Sequence, residues 1–82
     1  MILLAVAREP KLKEILEQQF LSRGAAVIHY RNPIKAMDNL EEIQPDIVLF
    51  YTQDFPRHWK PFISFYRSLK DKQKGIAVLL NG

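Results

Sequence analysis

The residues of this chain that could do chemistry are few and scattered. His29 and His58 lie far apart, neither has a second ligand at metal-binding spacing, and there is no cysteine. Thiolate zinc sites, thiol nucleophiles and disulfides are thereby excluded. His29 falls within an apolar run and His58 at the start of a helical pattern, so both are read as structural or surface residues. Ser22, Ser64 and Ser68 also fall in helical patterns, away from the sharp strand-to-helix turn that presents a serine nucleophile. Gly24, Gly75 and Gly82 are isolated and form no glycine-rich phosphate loop. Asp54 reads as a turn or capping residue. This set predicts a non-enzymatic protein with no metal and no cofactor.

The elements that position these residues are legible from apolar periodicity. Ile2 to Ala7 is an unbroken apolar run of strand length, as expected of a strand covered on both faces. Pro10 suits a helix start. From Lys11 to Arg23, Leu12, Ile15, Leu16, Gln19 and Phe20 share a helical face that Gly24 ends. Ala25 to Tyr30 is a second strand. Asn32-Pro33 opens a second helix, with Asn as cap and Pro at the first helical position. Its stripe is Ile34, Met37, Leu40 or Glu41, and Ile43, and Pro45 stops it. Asp46 to Tyr51 is a third strand, and Thr52 to Pro56 a loop. A third helix runs from Arg57 to Lys72 with Trp59, Phe62, Ile63, Tyr66 and Leu69 on one face, and Ile76 to Leu80 is a fourth strand. Strands alternating with helices predict an α/β fold, a parallel four-stranded sheet with helices on both sides.

The run Gln44-Pro45-Asp46-Ile47-Val48-Leu49-Phe50-Tyr51 resembles the phosphoacceptor strand of response-regulator receiver domains, with its Pro-Asp-apolar-Val-Leu-Leu-Asp pattern. Ile2 to Leu4 leading into Arg8-Glu9-Pro10, Asn32 to Tyr51, and Lys74 to Asn81 are similar to further receiver segments in the same order. The resemblance implies a three-layer receiver-like fold with strand order 2-1-3-4, cut after the fourth strand. It also implies a dismantled phosphorylation site. The acid-pair positions fall on Ala7 and Arg8, the acceptor position on Tyr51, and the hydroxyl position on Asn81. Magnesium needs hard oxygen ligands, and Arg8 beside such a site repels a cation.

Eighty-two residues make one domain, and a chain of this size buries roughly 60–65% of its unfolded surface. The chain is 48% hydrophobic and 26% charged, which is ordinary globular composition. No stretch approaches the ~20 apolar residues of a membrane span, and the expected location is cytoplasmic. The net charge of +3 is concentrated late: Arg57, Lys60, Arg67, Lys70, Lys72 and Lys74 face the single acid Asp71 between positions 57 and 74. Seven aromatics fall between Phe50 and Tyr66.

Three functions are therefore expected, in order. The first is a phosphorylation-independent regulatory or protein-interaction domain, the N-terminal part of a longer bacterial signalling protein. It would contact a protein partner, an output domain or a second copy through Phe55, Arg57, Lys60, Phe65 and Arg67, aromatics and arginines being frequent interface anchors. The second is a nucleic-acid-associated module using the basic aromatic third helix. The third is a small ligand- or nucleotide-binding domain with a pocket at the carboxyl ends of the strands, lined by Arg8, Thr52, Asp54 and Asn81. The apolar fourth strand, an unguarded edge, is expected to be covered by further chain, by a partner or second copy, or by the third helix and the tail.

Overall fold

A computed structural model describes residues 1–69 and 75–80. It has four parallel strands, β1 (Ile2–Val6), β2 (Ala26–Tyr30), β3 (Ile47–Tyr51) and β4 (Ile76–Leu80), in the order β2-β1-β3-β4. The helices are α1 (Leu12–Phe20), α2 (Pro33–Asp38), α3 (Leu40–Ile43) and α4 (Trp59–Leu69). The architecture is α/β with helices on both sheet faces, as the alternating pattern predicts. Lys70, Lys72, Lys74 and Asn81, singled out in the sequence, lie outside the described residues.

β1 is central, and Leu3, Leu4, Ala5 and Val6 are fully buried. Alternation along the strand sends them to two cores. Leu4 and Val6 join Val48 and Phe50 beneath α2, α3 and α4, with Ala36, Leu40, Phe62, Ile63 and Tyr66. Leu3 and Ala5 join Leu12, Leu16 and Val27 beneath α1. The first core is the larger because three helices cover it. On the α1 side, Ile47, Leu49 and Tyr51 are only half-buried.

The amino ends of the strands are tied by one residue. Asp46 Oδ2 accepts from the Ile2 amide at 2.8 Å. The Asp46 amide donates to the Ile2 carbonyl at 2.8 Å, and its carbonyl accepts from the Ile76 amide at 3.1 Å. Just before it, the carbonyl of the buried Pro45 accepts from the Tyr66 hydroxyl at 2.8 Å, fastening α4 to the sheet.

The helices are shorter than periodicity suggests. α1 ends at Phe20 and tightens into a 3-10 turn over Leu21–Arg23, closed by Gly24 in the left-handed region at φ 67°. The expected second helix is divided at Asn39, whose side-chain amide donates to the Lys35 carbonyl at 2.8 Å. α3 ends on Gln44, a non-glycine residue at φ 47°. Ile15 and Gln19 face solvent, as does Ile34, which is 58% exposed. The burial stripe of α2 instead starts at Pro33 and Ala36, because the Asn32 cap rotates Ile34 outward. β4 departs from the doubly covered strand its apolar run suggests. α4 does not shield it: Ile76, Val78 and Leu79 are 56%, 37% and 41% exposed.

Candidate functional site

Two surfaces of the molecule stand out. The first lies at the carboxyl end of the sheet, on the α2–α4 side. There Arg8 follows β1 by two residues, Arg31 directly follows β2, and the loop after β3 supplies Phe55 and His58. These residues line a crevice of about 320 Å³ with Asn32, Pro33 and Ile34 as its further wall. β1 sits where strand order reverses, β2 on one side and β3 on the other, the place where open α/β sheets leave a crevice.

The two guanidinium groups are held by neutral contacts. Arg8 lies over the Phe55 ring at 5.2 Å from its centroid, a cation–π arrangement. Arg31 Nε donates to the Arg8 carbonyl at 3.0 Å. The Arg8 amide donates to Asp54 Oδ2 at 2.8 Å, so the nearest acid of the β3 loop is turned to backbone and does not line the crevice. Asn32 Oδ1 is likewise occupied, accepting from the Ile34 and Lys35 amides at 2.9 and 3.3 Å.

This differs from the pocket expected at Arg8, Thr52, Asp54 and Asn81. Of these, Arg8 lines the crevice. Thr52 is buried, its hydroxyl donating to the Leu80 carbonyl at 3.3 Å, because β3 and β4 stay paired to their ends. Asp54 serves as the turn residue the sequence suggests, its amide donating to the Tyr51 carbonyl at 3.2 Å. Sequence reasoning missed Arg31, Asn32 and His58 as lining. The available signal was Arg31 immediately after β2: in a parallel order with β1 beside β2, the residues that follow both strands emerge together.

The expected aromatic and basic contact surface is only partly present. Phe55 is buried at 6% exposure, edge-on to Phe50 at 6.1 Å between centroids. Phe65 is half-buried against the larger core. Phe55 is corrected from a surface anchor to a packing residue, because the loop folds back over the end of β3, while Phe65 packs from the flank of α4. Arg57, Lys60 and Arg67 are exposed, and Lys60 Nζ lies 5.4 Å from the Trp59 ring centroid. Phe62 and Tyr66 are buried, and Trp59 is half-buried.

The second surface is the β4 edge with the sheet face beside it. The register pairs Ile47 with Ile76, Leu49 with Val78 and Tyr51 with Leu80. Paired residues share a face, so these form one apolar strip on the α1 side, its β3 members half-buried against the α1 core and Ile76 and Val78 exposed. Leu79, beside Phe50, opens to the other side.

Over residues 1–82 the chain matches TP_0454_N, a family described as an N-terminal domain. It is 40% identical over 78 residues to an uncharacterized protein of Treponema pallidum (strain Nichols). The match covers 95% of this chain and 34% of that protein, so the chain spans about a third of the relative's length. These findings overturn the assignment to receiver domains: the matching family is a different one. Pro45 packs in the interior and receives the Tyr66 hydroxyl, and Asp46 joins the amino ends of β1, β3 and β4. Ala7, Arg8 and Tyr51 make other contacts in this structure. Ala7 is buried and its carbonyl accepts from His29 Nε2 at 2.9 Å; Tyr51 packs half-buried on the α1 side. Among the described residues no group of acids, histidines or cysteines could hold a metal, and no helix is long and apolar enough to cross a membrane.

Proposed function

The chain belongs to the TP_0454_N family of N-terminal domains, and from that premise we propose that it is a non-enzymatic protein-contact module that joins two copies through the β4 edge. One observation carries this reading: among the described residues Ile76–Leu80 is an edge strand of five apolar residues with no partner on its outer side, with Ile76 56% exposed. Edge strands that must stay unpaired are guarded by lysine, proline or a bulge, and this strand has none of these.

The occupant is a second copy. The strand is apolar at every position, so two copies can pair antiparallel about Val78, setting Ile76 against Leu80 with no charge opposed to a like charge. Such an isologous contact closes on itself. A five-residue strand pair alone falls short of the ~1,200 Å² of a standard interface, so the apolar strip beside the edge must contribute and the dimer is a reversible one. In longer members of the family the module would bring together the chains that follow it, which is a regulatory use. A cytoplasmic setting belongs to this reading, since a chain without cysteine needs no oxidising compartment.

Sedimentation velocity from micromolar to millimolar concentration tests it. The 9.6 kDa chain should move toward twice its mass as concentration rises, whereas Val78→Lys and Ile76→Lys should remain monomeric with an unchanged circular dichroism spectrum. A wild-type chain that stays monomeric at millimolar concentration defeats the proposal.

A further inference from the structure

We infer that the crevice between the ends of β1 and β2 and the loop after β3 is a binding site for a phosphoryl group, free or carried by a small organic molecule. Charge is the first reason. Arg8, Arg31 and His58 line it and no carboxylate does. Neither guanidinium forms an ion pair among the described residues; their partners are the Phe55 ring and the Arg8 carbonyl. Two fixed cations sharing one recess repel each other, and an oxyanion between them removes that repulsion.

Geometry is the second reason. The Nε contact of Arg31 fixes the plane of its guanidinium and leaves the Nη hydrogens for a ligand. A planar fork held this way matches the paired oxygens of phosphate or carboxylate. Two such groups supply more positive charge than one carboxylate answers, which favours a phosphate dianion. Prior restraint of both side chains also lowers the ordering cost of binding.

Size and lining narrow the class. About 320 Å³ is at the small end of ligand cavities, enough for a phosphoryl group with a modest organic part and too little for a folded partner. Pro33 and Ile34, the latter 58% exposed, give that part an apolar wall. This inference stands apart from the dimer: the crevice lies at the carboxyl ends of β1 and β2, away from β4.

Titration of the 82-residue chain with inorganic phosphate, AMP and adenosine, followed by amide chemical shifts in low salt, tests the assignment. Phosphate and AMP should shift the amides of Arg8, Arg31, Lys35 and His58, while adenosine and sodium chloride at equal ionic strength should not. Tighter binding of AMP identifies an ester as the source; equal binding identifies free phosphate. Arg31→Gln and Arg8→Gln, both at exposed positions, should each weaken binding at least tenfold while keeping a dispersed spectrum, and Arg31→Lys should retain part of the affinity. Absence of shifts with either phosphate or AMP overturns the site, as does an equal response to chloride or undiminished binding by both glutamine variants. Sedimentation of the same samples keeps the oligomer question separate.

Discussion

Tyr66 shows how one side chain can serve two elements. It is buried in α4, and its hydroxyl donates to the Pro45 carbonyl ahead of β3. Its pKa is raised above the ordinary value of 10.0, by burial first and by the Asp46 charge second. Both favour the neutral phenol. With the folded value above the unfolded one, the stabilisation is fully present below pH ~10 and is lost as pH rises through the folded pKa. Tyr66→Phe leaves the Pro45 carbonyl without its donor, at a cost of about 1–3 kcal/mol. It should also flatten the alkaline fall in stability relative to the wild type. Urea unfolding at neutral and strongly alkaline pH, followed by Trp59 fluorescence, reads both effects. The sequence shows Tyr66 as one member of a helical stripe; which carbonyl its hydroxyl meets depends on how α4 crosses the sheet.

At the scale of elements, the short helices α2 and α3 carry the least regular backbone. Asn39 interrupts them, and Gln44 ends α3 in the left-handed region at φ 47°. A non-glycine residue there carries strain of about 1–3 kcal/mol, and glycine relieves it at some cost in unfolded-chain entropy. Gln44→Gly should therefore stabilise the domain by about 0.5–1 kcal/mol, read as a higher urea midpoint with an unchanged slope. The break at Asn39 was not legible because Ile34, Met37, Leu40 and Ile43 keep near-helical spacing across it. The β4 strand failed differently. Its apolar run was visible, and so was the risk of an open edge, but exposure depends on what packs over it, and α4 leaves Leu79 open while α1 sits over β1 and β2.

For the whole molecule, stability rests mainly on the core beneath α2, α3 and α4. Phe62 is fully buried there, tilted against Phe50 at 5.1 Å between ring centroids. Phe62→Ala should cost about 3–5 kcal/mol, comparable with the ~4–12 kcal/mol expected for a domain of this length. The variant should be substantially unfolded on warming, while Leu69→Ala, at a 38% exposed position, should melt close to the wild type. Calorimetry of the two distinguishes core from rim.

Apolar period by itself determined the alternation of strands and helices, the parallel sheet and, of the expected α1 and α4 faces, the buried Leu12, Leu16, Phe62, Ile63 and Tyr66, because burial selects residues at spacings of 2 and 3.6 that any reader of the chain can count. The pairing of Arg31 with Arg8 was decided only by the tertiary structure, since the two are distant in sequence and meet through strand order alone. So was the fate of Phe55, whose loop residue type suits surface and core equally until the chain folds it against Phe50. The Pro45-Asp46 motif lies between these limits: the sequence displays it plainly, but only the hydrogen bonds that Asp46 shares with Ile2 and accepts from Ile76 reveal that it joins strands.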